Sequence, residues 1–97
     1  MILAHGHGNR IHFWRNKQKQ EVDFIIPRGS EVVDAIECKW SMASFDPGAL
    51  RAFRALYPKG KNIVVAAHPA ATLQRKMEGL DIDFLPLEQL PYAFTGS

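Results

Sequence analysis

Apolar and polar residues alternate through much of the first forty positions, and the period lengthens after that. From Arg10 to Arg15, Ile11, Phe13 and Arg15 fall on one side and His12 and Trp14 on the other, so the segment reads as a strand. Asn16-Lys17-Gln18-Lys19-Gln20 is a polar turn. Two apolar runs follow, carrying Val22, Phe24, Ile26 and then Val32, Val33, Ile36, the β-branched and aromatic residues that favour strands. Arg28-Gly29-Ser30 between them is a turn signal, which makes the pair an antiparallel hairpin and the whole a three-stranded meander.

Beyond Ser41 the pattern becomes helical. Asp46 before Pro47 reads as an N-cap followed by proline at the first helical position. Ala49, Leu50, Phe53, Leu56 and Tyr57 form one apolar face, with Arg51 and Arg54 placed off it, and Pro58 and Gly60 end the helix. Asn62 to His68 is a continuous apolar run, the look of a strand covered on both faces. Strand, helix and strand from Ile36 to Ala67 imply a right-handed crossover and parallel pairing. Ala70 to Glu78 reads as a short helix with Leu73 and Met77 inward, closed by Gly79. Leu80 to Pro86 reads as an edge strand, since Pro86 is tolerated there, and Leu87 to Leu90 as a terminal helical turn. The expected folded unit is residues 10–90, with flexible termini at 1–9 and 92–97. Ile2-Leu3-Ala4 reads either as the stub of a helix or as a first strand. A strand would turn His5 and His7 to one side, with His12 nearby, as a metal would require; a fraying glycine-bearing terminus is the expectation.

Composition narrows the class. At 97 residues and 46% apolar content the chain supports one domain of α/β class. A formal charge of +2 is too small to announce a nucleic-acid binder by itself, and the chain has no long charge block of the kind that marks disorder. The single cysteine, Cys38, excludes an internal disulfide and reads as a small buried hydrophobe. The absence of a long apolar span or signal-peptide core points to the cytoplasm and away from a membrane. No Walker A motif, dinucleotide loop or paired-cysteine zinc pattern occurs.

The chemistry gathers on the hairpin. Alternation puts Val33, Ala35, Glu37 and Lys39 on one face and Asp34, Ile36, Cys38 and Trp40 on the other, and the pairing brings Asp23 near Glu37. Buried charges lose hydration worth several kcal/mol unless they are paired or bind a metal. Two carboxylates repel, and a divalent cation between them reverses that effect. Oxygen ligands suit Mg²⁺ or Mn²⁺ better than zinc, and an adjacent lysine completes the parts of metal-assisted phosphodiester hydrolysis. Asp81 and Asp83 form a rival pair, for which solvent exposure is the simpler account. Trp14 reads as core before it reads as a base-stacking ring.

Glu21-Val22-Asp23 followed after thirteen residues by Glu37-Cys38-Lys39 resembles the D…ExK core of the PD-(D/E)XK nuclease superfamily. With Phe13-Trp14-Arg15-Asn16-Lys17 before it and Trp40-Ser41 after it, the stretch is similar to a domain at the C-terminus of many bacterial and archaeal AAA-type ATPases. The resemblance covers roughly residues 10 to 90. It implies a restriction-endonuclease-like fold, a truncated αβββαβ core in which a three-stranded meander is followed by a helix and a parallel strand. It also implies Asp23 and Glu37 as metal-binding acids and Lys39 as the catalytic lysine; in a nuclease built this way the carbonyl of Cys38 is the candidate further metal ligand. The family's upstream helix bears another acid, whereas no Asp or Glu precedes Glu21 here.

The expected function is therefore a Mg²⁺- or Mn²⁺-dependent nuclease acting on DNA. Lys17, Lys19, Arg51 and Arg54, with Lys59 and Lys61, are the candidate phosphate contacts. The alternative is a nuclease-fold module without turnover that binds nucleic acid or protein, as a homodimer or beside an ATPase domain. An uncovered apolar sheet face is the argument for the dimer. A third reading, a structural domain whose acids pair with Lys17, Lys19 and Lys39, ranks last.

Overall fold

The computed structural model describes residues 2–5, 12–68 and 71–95. Seven strands form one sheet: β1 (Ile2–His5), β2 (His12–Arg15), β3 (Glu21–Gly29), β4 (Val32–Ser41), β5 (Asn62–His68), β6 (Leu73–Met77) and β7 (Leu80–Pro86). Helix α1 (Gly48–Leu56) lies between β4 and β5, and α2 (Leu90–Thr95) follows β7. The spatial order is β1-β2-β3-β4-β5-β7-β6. Strands β1 to β4 run as an antiparallel meander, β4, β5 and β7 are parallel, and β6 returns antiparallel along β7. The expected meander, crossover helix and parallel strand are all present in this mixed α/β domain.

Each face of the sheet has its own core. On the α1 face Trp14, Val22, Ile25, Ala35, Val64, Ile82 and Phe84 pack with Phe45, Leu50 and Phe53. Trp14 is wholly buried and meets Phe53 edge-on at 5.5 Å, so it is a core ring. On the other face Ile26, Ile36, Ile63 and Val65 pack under Ala93, with Phe24, Cys38, Leu85, Leu90 and Phe94 at the margin. Strand β5 is buried through five consecutive residues, Asn62 to Ala66, as expected of a strand covered from both sides.

Helix α1 starts where Asp46 Oδ1 accepts the Gly48 amide at 2.9 Å and ends before Pro58. The chain then turns back through Gly60, at φ +137, against β4, and a Cβ there would collide with the Val33 carbonyl. That closeness lets Val33 and Ala35 donate to the Lys59 and Lys61 carbonyls, each at 2.9 Å, and starts the parallel pairing.

Several expectations change. Ile2–His5 is a strand paired to β2 in register Ile2↔Arg15 to His5↔His12, so part of the expected flexible N-terminus belongs to the sheet. His7 and the glycines beside it lie outside the described residues. The expected helix over 70–78 is strand β6, because positions 73 and 77 share a side at both the strand and the helix period. Leu73 and Met77 do pack inward, and Glu78-Gly79, both at positive φ, make a two-residue hairpin turn into β7. Strand β7 is interior, lying between β5 and β6, with Ile82 and Phe84 buried. The tail after Leu90 is helical as far as Thr95 and is held down by Arg28, whose Nη2 donates to the Ala93 and Phe94 carbonyls at 3.1 Å each. No helix among the described residues is long and apolar enough to cross a membrane.

Candidate functional site

The β3–β4 ladder runs Phe24↔Ile36, Ile25↔Ala35, Ile26↔Asp34, so Asp23 stands one step past its last pair in that direction, beside Glu37. On the other edge of β3 the register with β2 shifts between His12↔Ile25 and Trp14↔Val22. Two residues of β3, Asp23 and Phe24, therefore oppose the single residue Phe13, which is the arrangement of a β-bulge. As a result Val22 and Ile25 reach the same core, while Phe24 and Ile26 serve the other. Simple alternation would have grouped Val22 with Phe24 and Ile26. The bulge lies at the residue that carries the carboxylate, and re-aiming a side chain is a common use of such an irregularity.

Glu37 and Lys39 project from β4 on the α1 face, in line with Val33 and Ala35. Lys39 Nζ lies 3.7 Å from Glu37 Oε1. Glu37 is only 3% exposed, and its Oε2 is buried without a hydrogen-bond partner. A buried carboxylate oxygen left in this state costs free energy unless a water or an ion meets it. Burial is the main force on its titration and pushes the carboxyl up to about 7; Lys39 pulls the other way, and the charges of Asp23 and Asp46 add to the rise.

Asp23 Oδ2 accepts the Cys38 backbone N–H at 2.8 Å, a bond that fixes the carboxylate against β4. The Cys38 side chain faces the opposite core, among Ile36 and its neighbours, and burial followed by the charges of Asp23 and Glu37 raises its thiol pKa. The cysteine therefore contributes main-chain atoms on the acid side and packing on the other.

These groups open into a cavity of about 270 Å³ lined by Lys19, Gln20, Glu21, Asp23, Glu37, Lys39, Asp46, Gly48 and Ala49. Larger cavities exist elsewhere, one of about 380 Å³ along β6, β7 and α2, but they lack this convergence of acids and ammoniums. Lys19 sits at φ 65 in a turn closed by Asn16, whose Oδ1 accepts the Gln18 and Gln20 amides at 3.0 Å each.

A family model described as a domain of unknown function, DUF4143, matches residues 1–90. The chain belongs to that family. No curated protein and no solved structure matches it.

Of the candidate site residues in this DUF4143 domain, Asp23, Glu37, Lys39 and Lys19 line one cavity, and Lys17 is exposed in the same turn as Lys19. Arg51, exposed on α1, pairs with Glu78 at 2.6 Å. Arg54 is not a phosphate contact. It is 7% exposed and donates Nε to Asn62 Oδ1 at 2.7 Å, Nη1 to the Tyr57 and Lys59 carbonyls at 3.0 and 2.9 Å, and Nη2 to the Lys61 carbonyl at 2.7 Å. It sits four residues after Leu50, on the inward side of α1, and staples the α1–β5 loop. Asp81 and Asp83 face β6 instead of a common centre: Asp83 accepts Gln74 Nε2 at 2.9 Å and Asp81 lies 3.9 Å from Lys76 Nζ.

Sequence reasoning missed Asp46 and Gln20 as cavity residues. The available signal for Asp46 was topological, because the loop leaving the C-terminal end of a parallel strand is where α/β sheets place their sites. The oxygen donors of Asp23 and Glu37, with the orphaned Oε2, fit a hard divalent cation in donor type. Among the described residues no three His, Cys, Asp or Glu side chains converge as a ready-made metal set.

Proposed function

We propose that this DUF4143 domain is a nuclease-like phosphodiester hydrolase dependent on Mg²⁺ or Mn²⁺, acting on DNA in the cytoplasm. The observation that carries the reading is Glu37, a carboxylate buried beside Lys39 with Oε2 unsatisfied, in a cavity shared with Asp23. The D…ExK resemblance and the meander–helix–strand order support it. In this reading Asp23 and Glu37 would hold the cation, with the Cys38 carbonyl as a further ligand. The cation would supply charge stabilisation at the phosphate and a more acidic water.

The chain's own residues do the remainder. The Cys38 amide keeps Asp23 oriented, so the site does not have to order it when substrate arrives. Lys39, about a third exposed and next to Glu37, orients the attacking water and sets a positive charge against the phosphate. Lys19 and Lys17, on the turn at the cavity mouth, hold the backbone of the nucleic acid by charge without reading sequence. A bound cation would favour the ionised form of Glu37, whose carboxyl is otherwise held up at about 7 by burial.

The test is cleavage of single- and double-stranded DNA by the whole chain with Mg²⁺ or Mn²⁺. Glu37→Gln and Lys39→Ala are expected to lose on the order of 10²–10⁴-fold in rate while keeping the wild-type circular dichroism. Equal rates in the variants, or no metal-dependent cleavage by the wild type, would overturn the reading.

A second reading has an observation in its favour: Asp23 Oδ2 already has a partner in the Cys38 amide, and no three ligands converge. The domain then serves as a module without turnover, binding nucleic acid, a second copy or the ATPase to which similar domains are attached. Absence of cleavage together with absence of cation binding would select it.

A further inference from the structure

The two acids of the D…ExK pattern are not the only carboxylates at the cavity. Asp46 reaches it from the far side, out of the loop between β4 and α1. Its Oδ1 is engaged by the Gly48 amide at 2.9 Å, which fixes the side chain ahead of the helix, and the residue lines the cavity. The fit around it is close: a Cβ on Gly48 would lie 3.4 Å from both Asp46 Oδ1 and Gln20 Nε2. The β2–β3 turn and the start of α1 are thus neighbours at the cavity.

The charge balance points the same way. Glu21, also on the cavity wall, is offset by Arg15 at 3.0 Å. Asp23, Glu37 and Asp46 then face the ammoniums of Lys19 and Lys39, so the cavity carries an excess of negative charge when its acids are ionised. The observation independent of the acids' clustering is the buried Glu37 Oε2, which has no partner.

We propose that Asp46 is a third acid of this site, contributing its charge to divalent-cation affinity without being a direct ligand. Direct ligation is set aside because no three such side chains converge among the described residues. A magnesium site commonly takes one or two carboxylates and keeps several waters, so a nearby third acid acts through its field and through those waters. The inference rests on the metal-dependent reading of Asp23 and Glu37. It supplies from the βα loop a negative charge that the nuclease pattern takes from an acid ahead of the first strand.

Asp46→Asn and Asp46→Ser separate charge from structure, because both side chains can still accept the Gly48 amide two residues on. Titration calorimetry of Mn²⁺ and of Mg²⁺ into the whole chain is expected to show binding by the wild type and none by Glu37→Gln. Both Asp46 variants should bind roughly 10-fold more weakly or worse, with unchanged metal-free thermal midpoints. Their deficit should narrow as ionic strength rises, which loss of the turn contact would not produce. A wild type that binds while both variants bind within about twofold of it overturns this inference and leaves the proposed function standing. Weaker binding that comes with a lowered metal-free midpoint in both variants assigns Asp46 to holding the turn ahead of α1 and also overturns it. A wild type that binds neither cation removes the metal-dependent reading itself, and this inference with it.

Discussion

Two charged side chains are buried against α1, at opposite ends of the same strands, and the fold treats them in opposite ways. Arg54 lies where β4 and β5 begin, and Glu37 lies towards the end of β4. Each is under a tenth exposed. Arg54 spends its guanidinium on four oxygen acceptors at 2.7 to 3.0 Å, three of them backbone carbonyls. Glu37 has an ammonium at 3.7 Å on one oxygen and nothing on the other. Burial alone therefore does not identify a functional charge. A buried charge whose bonding capacity is filled by the protein's own backbone belongs to the architecture, and one left partly unfilled is available for chemistry.

The largest effect expected from this contrast is at Arg54. Arg54→Ala leaves the Tyr57 carbonyl and the buried Asn62 amide oxygen without this donor, and takes a second donor from the Lys59 and Lys61 carbonyls, which keep the Val33 and Ala35 amides. The cost should be about 2–4 kcal/mol, read as a large drop in the urea midpoint. Arg54→Lys should recover only part of it, because one ammonium cannot span the fork. Burial lowers the guanidinium pKa, and the nearby charge of Asp34 opposes that, which fits a cation held by neutral oxygens. A midpoint within error of wild type for Arg54→Ala would break the contrast.

At Glu37 the prediction runs the other way. Its carboxyl titrates at about 7 in the fold against 4.5 for a free side chain. Between those values the folded state holds the proton more tightly than the unfolded state, so stability falls as pH rises through that window. The full cost above pH ~7 is of order 3 kcal/mol. Glu37→Gln should abolish that slope, leaving the variant similar to wild type at low pH and more stable than it at alkaline pH. Urea unfolding at mildly acidic and mildly alkaline pH measures both. Parallel pH dependence in the two proteins would show that Glu37 has a partner.

The two ends differed in how far the sequence revealed them. The face shared by Glu37 and Lys39 follows from alternation along one strand, and Asp23 beside Glu37 follows from a hairpin with a short turn. Local periodicity is enough for both. The bulge at Asp23 and Phe24 is not local, since it is set by pairing with β2 on the far edge, and no residue type announces it. Arg54 was misplaced because the apolar stripe was drawn from apolar residues alone, whereas a guanidinium can occupy the stripe when loop carbonyls wait at its end. Strand β6 was read as a helix because Leu73 and Met77 satisfy both periods; the decisive Glu78-Gly79 turn was assigned to a helix stop. Helix α2 is docked by Arg28, more than sixty residues away in sequence, a contact that only the assembled sheet creates.

The smallest expected effect sharpens the contrast from the solvent side. Arg51 lies on the same helix as Arg54, one turn earlier, and has a shorter contact than any around Glu37: Nη1 to Glu78 Oε1 at 2.6 Å. Both side chains are about half exposed, however, so water competes for each charge and salt screens the pair. Arg51→Ala should change stability by less than ~0.5 kcal/mol, against several for Arg54→Ala. If Arg51 is a phosphate contact in the proposed nuclease, DNA affinity should fall in the same variant, and the salt slope of binding should shrink by about one contact's worth. A stability loss approaching that of Arg54→Ala would mean that the β6–β7 turn depends on this pair, and that exposure is a poor guide to which of the helix's two arginines holds the fold.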